Sequence, residues 1–95
     1  MHIISRKRLR EFWEDNPDST TSLQRWYKIV SRSNFDNFQA IRHTFPSADL
    51  VGELVVFNIG GNKYRLIASV HFNRQKLYVR HVLTHSAYDR GEWKQ

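Results

Sequence analysis

The 95 residues allow one compact domain with a single core, not two. With 40% hydrophobic and 25% charged residues the composition excludes a disordered chain, and no apolar run approaches the ~20 residues of a membrane span. Fifteen Lys and Arg against nine Asp and Glu leave a net charge of +6 and a pI near 10.1, a balance that favours polyanions such as nucleic acid as partners.

The elements follow in chain order. "HIIS" at 2–5 reads as a short first strand, and its charged, apolar-poor sequel argues against a signal peptide. Leu9, Phe12 and Trp13 then share one face of a helix that "DNPDS" stops, since Pro17 cannot continue it. Asp18 or Ser19 is placed to cap a second helix, on which Leu23, Trp26, Tyr27 and Val30 recur at helical spacing and read as core. A weaker third helical turn holds Phe35, Phe38 and Ile41 before Pro46.

Beyond that the period changes to two. "ELVVFNI" (53–59) is apolar and β-branched, and "GGN" at 60–62 tolerates the positive φ of a hairpin turn. "KYRLIASVHF" (63–72) and "KLYVRHVLT" (76–84) flank "NRQ", a second hairpin signal. One face carries Tyr64, Leu66, Ala68, Val70, Phe72, Leu77, Val79 and Leu83 and is the predicted core side, with His81 sharing its parity as a half-buried, hydrogen-bonded histidine. The other carries Lys63, Arg65, Ser69, His71, Tyr78, Arg80 and Thr84. Pairing Phe72 with Leu77 sets His71 against Tyr78, Ser69 against Arg80, Ile67 against Val82 and Arg65 against Thr84, each ~5 Å apart. No repeat, low-complexity tract or linker interrupts the chain, so 1–95 is read as one α+β domain: two N-terminal helices on one face of a small, mostly antiparallel sheet, with a short C-terminal helix.

The charge is uneven. No acidic residue falls between Glu53 and Asp89, where Lys63, Arg65, Arg74, Lys76 and Arg80 stand, and a second basic cluster holds Arg6, Lys7, Arg8 and Arg10. With no cysteine there is neither disulfide nor thiolate metal site, and cytoplasmic residence is the expectation. Five histidines without an HExxH motif give no zinc signature, and Asp89 is the only carboxylate near the open face, which disfavours a paired-acid site. The turn "GGN" leads into a strand and is too short to cradle phosphate.

Metal-free RNA cleavage fits this inventory better. The ribose 2′-hydroxyl attacks its own 3′-phosphate, which calls for a base, an acid and cations for the phosphorane charge. Histidine moves protons near neutrality, arginine holds phosphate bidentately without losing its charge, and tyrosine stacks on a base or donates a proton. The same groups serve RNA binding without chemistry equally well.

"VFNIGGNKYRLIASV" (56–70) and "YVRHVLTHSAYD" (78–89), preceded by "HIIS" and two helices, resemble the HigB-type mRNA interferase toxins of the RelE/ParE superfamily over nearly the whole chain. The resemblance is most specific in FN-x-x-GN-x-x-R (57–65) and R-x-V-x-TH-x-x-YD (80–89). It implies a RelE-like β-α-α-β-β-β domain and the toxin of a type II toxin–antitoxin pair: a metal-independent, cofactor-free endoribonuclease that cuts mRNA on the ribosome. A helix-turn-helix, HigA-like antitoxin would neutralise it. It also implies Arg65 as phosphate clamp, with Arg80, His85 and Tyr88 completing the catalytic set, His85 as base or acid, and Asp89 as an orienting group. Lys63 ranks lower, as an RNA contact beside Arg74, Lys76, Lys7 and Arg8. Two alternatives share the fold or the charge: a ParE-like gyrase poison, and a non-catalytic RNA- or ribosome-binding module.

Overall fold

The computed structural model describes residues 1–94. Strand β1 (His2–Ile4) buries Ile3, and helix α1 (Arg6–Asp15) follows with Leu9 fully buried and Phe12 and Trp13 packed at the core's margin. Asn16 ends α1 by returning its backbone N–H to the Phe12 carbonyl, and a 3-10 turn at Pro17–Ser19 leads into α2 (Thr20–Ser31). Neither predicted cap operates. The Ser19 hydroxyl donates to the Asn16 carbonyl at 2.7 Å, and the Asp18 carboxylate is taken by Tyr64 and Lys63. Leu23, Trp26 and Val30 of α2 are buried at i, i+3 and i+7, the stripe that a core-facing helix requires. The weak third turn is a true helix, α3 (Phe38–Thr44), capped by the Asn37 side chain accepting from the Ala40 N–H at 2.9 Å.

The sheet has five strands in the order β1-β5-β4-β3-β2. These are β2 (Asp49–Val51), β3 (Leu54–Ile59), β4 (Tyr64–His71) and β5 (Lys76–Thr84) beside β1. All neighbours run antiparallel except β1 and β5. Strand β2, with Leu50 left 49% exposed, carries no alternation over its three residues and was not foreseen. It turns into β3 through Gly52 at φ +61°. A short helix α4 (His85–Asp89) and a 3-10 turn at Glu92–Lys94 close the described chain. The α+β architecture is as expected, with one more helix, α3, and one more strand, β2, than the six-element order and its C-terminal helix. No helix among the described residues is long and apolar enough to cross a membrane.

The β4–β5 register differs from the expected one. His71 pairs with Lys76, Ser69 with Tyr78, Ile67 with His81 and Arg65 with Leu83, and the ladder slips between Ile67 and Ala68. Two causes act. Gln75, at φ +53°, is pinned to the loop before α3: its amide donates to the Phe35 carbonyl at 2.7 Å and accepts from the Phe35 N–H at 3.2 Å, which moves the turn one residue earlier. Then a β-bulge leaves Arg80 without a partner on β4 and reverses the parity of β5 beyond it. Val82 therefore joins the main core, whereas Leu83, expected there, lies on the opposite face with Val56, Ile67, Leu54, Tyr88 and Trp93. His81, paired with Ile67, leaves the core parity as well; it is half-buried, as expected.

Candidate active site

The β3–β4 turn builds one wall of the site. Gly60 and Gly61 take φ +62° and +68°, a conformation costly to a side-chain-bearing residue, and fold Asn62 back over the start of β4. Arg65 is only 8% exposed. Its Nη1 donates to the carbonyls of Asn62 (3.3 Å) and Tyr64 (3.1 Å), and its Nη2 donates to Asn62 Oδ1 at 2.6 Å. The same Nη2 stands 3.4 Å from His85 Nδ1. Among the described residues the salt bridges involve other cations, so this buried guanidinium is held by neutral acceptors and keeps its charge uncancelled.

His85 opens α4. Thr84, not His85, is the cap, its hydroxyl accepting from the Ala87 N–H at 3.2 Å. That start places His85 and Asp89 one turn apart on the same side of the helix, with His85 Nε2 2.9 Å from Asp89 Oδ2. Nδ1 faces the Asn62 carbonyl at 3.0 Å, so the imidazole is gripped from both sides. Tyr88 lies with its ring centroid 5.6 Å from the Arg65 guanidinium carbon and stacks on Trp93 at 5.2 Å with an interplanar angle of 8°. Trp93 in turn donates to the Tyr88 carbonyl at 3.1 Å and is buried against Val56 and Ile67, so it is a packing residue.

The open cleft beside His85, of about 450 Å³, is lined by Asp18, Lys63, Tyr64, Thr84, His85, Ser86 and Asp89. Asp18 ties its helical rim to the sheet: Tyr64 donates to Oδ1 at 2.6 Å and Lys63 lies 3.5 Å from Oδ2. The Tyr64 hydrogen bond, with help from Lys63, holds the Asp18 carboxyl below the usual carboxylate range, and the same bond pushes the Tyr64 phenol up.

Arg65, His85 and Tyr88 therefore meet, with Asp89 against His85 and Lys63 on the cleft wall. Arg80 is separate. It is exposed on the bulge, its guanidinium carbon 5.3 Å from the Tyr78 ring centroid, three residues from the Leu83 that pairs with Arg65, or roughly 10 Å along the strand. The expected pairings of Ser69 with Arg80 and Arg65 with Thr84 do not occur. Arg74 and Lys76 stand at the far end of β5, and Lys7 and Arg8 on exposed turns of α1, where Lys7 pairs with Glu11 at 3.7 Å and Arg8 donates to the Arg80 carbonyl at 3.2 Å. Asn62 and Asp18 were not singled out from sequence as site residues; the GN of the turn motif signals the first, and nothing local signals the second. His81 and His85 are four apart, but one lies in a strand and the other opens a helix, and no group of three metal-ligating side chains forms among the described residues.

A helix-covered mixed sheet, whose end gathers a buried arginine, a histidine and a tyrosine beside an open cleft, defines a small RelE-like α+β protein. Residues 19–91 match the family model of the HigB toxins, described as the RelE-like toxic component of a toxin-antitoxin system. The chain is 36% identical to the mRNA interferase toxin HigB of Escherichia coli (strain K12) over 92 residues, 94% of this chain and 88% of that protein. The mRNA interferase HigB of Shigella flexneri gives the same figures, and that of Escherichia coli O6:H1 is 29% identical over 95% of this chain and 90% of its own length. This chain belongs to the HigB toxin family, and an antitoxin partner goes with that membership.

Proposed function

We propose that this toxin is an endoribonuclease that cleaves mRNA without a metal ion. The 2′-oxygen attacks the adjacent phosphorus, the P–O5′ bond breaks, and the products carry a 2′,3′-cyclic phosphate and a 5′-hydroxyl. The observation that carries the reading is the Arg65–His85 contact at 3.4 Å, a permanent cation beside a proton carrier that lines an open cleft. The printed names of the relatives, mRNA interferases, support it. Arg65 clamps the phosphate and stabilises the phosphorane charge, His85 moves a proton to or from a ribose oxygen, and Tyr88 stacks on a neighbouring base or donates a proton. Asp89 and Asn62 orient His85. Lys63 adds charge on the cleft wall.

The substrate is engaged on the ribosome, where the exposed cations of α1 (Arg6, Lys7, Arg8, Arg10), with Arg74 and Lys76, meet ribosomal phosphates, and association weakens steeply with salt. The antitoxin is of the helix-turn-helix, HigA-like kind that the family resemblance implies. Induced expression, followed by mapping of transcript 5′ ends, tests the function: growth stops and new 5′-hydroxyl ends accumulate, and EDTA leaves purified activity unchanged. His85→Ala and Arg65→Ala abolish both effects while the proteins remain folded. Full toxicity in both variants overturns the assignment, and growth arrest through DNA damage with intact transcripts selects a gyrase poison instead.

A further inference from the structure

The open face of the sheet carries a second group of side chains that the catalytic site does not use. His71, at the end of β4, meets the Tyr78 ring of β5 edge-on, with centroids 5.2 Å apart and planes at 77°. The Arg80 guanidinium lies over the same Tyr78 ring at 5.3 Å. Ser69 pairs with Tyr78 and His71 with Lys76, so this cluster shares the sheet face of Arg65. His71 is six residues from Arg65 along β4, roughly 20 Å, and Tyr78, beside Ser69, is roughly 13 Å away.

A polar skin over a hairpin explains the His71–Tyr78 contact but not the bulge. A regular ladder would hold β5 to β4 without it; the bulge frees Arg80 from the pairing and re-aims its side chain. His71 and Arg80 remain exposed, and the Arg8 guanidinium holds the bulge in place through the Arg80 carbonyl. Among the described residues no salt bridge engages His71, Lys76 or Arg80. Aromatic faces beside unneutralised cations, on an open sheet surface, are what a single nucleic-acid strand requires: bases stack on rings and guanidinium planes while cations follow the phosphates.

We propose that His71, Tyr78 and Arg80 form a second subsite for the RNA strand whose phosphate Arg65 clamps, in which a base stacks on the His71–Tyr78 surface and Arg80 holds the adjoining phosphate. It rests on the ribonuclease reading for the nature of the ligand. The separation from Arg65 is too long for one nucleotide and suits a strand laid along the face. Arg80 thus positions the substrate and does not touch the reacting atoms.

The test uses the full chain and fluorescent, uncleavable 2′-O-methyl RNA of two lengths, about ten nucleotides, a span that such grooves cover, and about three. Wild type binds the longer one more tightly. Tyr78→Ala lowers affinity for the longer RNA roughly tenfold and leaves the shorter unchanged, and Tyr78→Phe, which keeps the ring, binds like wild type. Arg80→Ala lowers the salt slope of the longer RNA by about one. An abasic nucleotide at the stacked position weakens wild type as much as Tyr78→Ala does and adds nothing to that variant. The subsite is refuted if Tyr78→Ala, folded by thermal melting, binds the longer RNA normally, or if it loses both lengths equally. If no RNA is cleaved but these binding differences appear, the catalytic reading fails alone; if cleavage occurs without them, the subsite fails alone.

Discussion

Arg65→Lys separates charge from geometry at the site. The substitution keeps one positive charge but removes the planar fork that donates to the Asn62 and Tyr64 carbonyls and to Asn62 Oδ1. An ammonium in the same hole recovers part of these contacts. With charge-assisted bonds worth ~1.5–3 kcal/mol each, the net loss is about 2 kcal/mol. For a domain of this size that lowers the melting temperature by roughly 10 °C, and circular dichroism follows it. Cleavage suffers more. Losing a preorganised donor to the charge that develops in the transition state costs ~10²–10³-fold in rate. RNA affinity, spread over many cations, falls by less than ~tenfold. Single-turnover cleavage of a synthetic RNA at saturating protein, well below the variant's melting point, isolates the rate. A folded Arg65→Lys protein that cleaves within a few-fold of wild type refutes the bidentate clamp.

Three further outcomes follow from the same contacts. Tyr64→Phe removes the bond that lowers the Asp18 pKa, so wild type's advantage over it, measured by denaturant melts, is full above the ordinary carboxylate value of 3.8 and shrinks as pH falls through Asp18's lower folded value; a gap unchanged down that range counts against the tether. Burial first, then the charges of Arg8 and Arg80, lowers the His81 pKa below 6.5, so stability is full above 6.5 and declines as pH falls from there toward the folded value. His81→Gln flattens that limb of the pH–stability curve, and an identical limb in the variant contradicts the assignment. Trp93→Ala strips the surface beneath Tyr88 and the cover over Val56 and Ile67; it costs about 3 kcal/mol in denaturant unfolding and lowers cleavage even where the protein remains folded.

Elements that follow local rules were legible in the sequence, and features set by distant contacts were not. The stripe Leu23, Trp26, Val30 and the alternation of β4 state their own structure, because burial selects for period. The family resemblance named Arg65 and His85, and the antiparallel hairpin sets the start of β4 beside the end of β5, where the two lie 3.4 Å apart. The register was misjudged because Gln75 answers to Phe35, forty residues away, and because nothing in "YVRHVLT" announces a bulge at Arg80. That single inserted residue explains why Val82 and Leu83 exchanged faces. Asp18 was read as a helix cap for the same kind of reason, since its partners Lys63 and Tyr64 lie across the fold.

Asn62 gives the site its coherence. Its carbonyl faces both Arg65 Nη1 at 3.3 Å and His85 Nδ1 at 3.0 Å, so it has two possible donors. When His85 carries a proton on Nδ1, that proton goes to the Asn62 carbonyl and Nε2–H goes to Asp89. When Nδ1 is bare, it accepts from Arg65 Nη2, and the carbonyl keeps Arg65 Nη1. Neither protonation state strands a polar group of this turn, so the hydrogen bonds that hold Asn62, Arg65 and His85 together survive in both. The arrangement depends on Gly60 and Gly61 adopting positive φ ahead of Asn62. No atom lies within 4 Å of a Cβ built on Gly61, so Gly61→Ala meets no clash and acts through backbone strain alone, worth about 1 kcal/mol. Because that strain acts on the turn that aims Asn62, Gly61→Ala slows cleavage by more than its small effect on melting predicts. A variant that loses stability yet cleaves at the wild-type rate separates the turn from the chemistry.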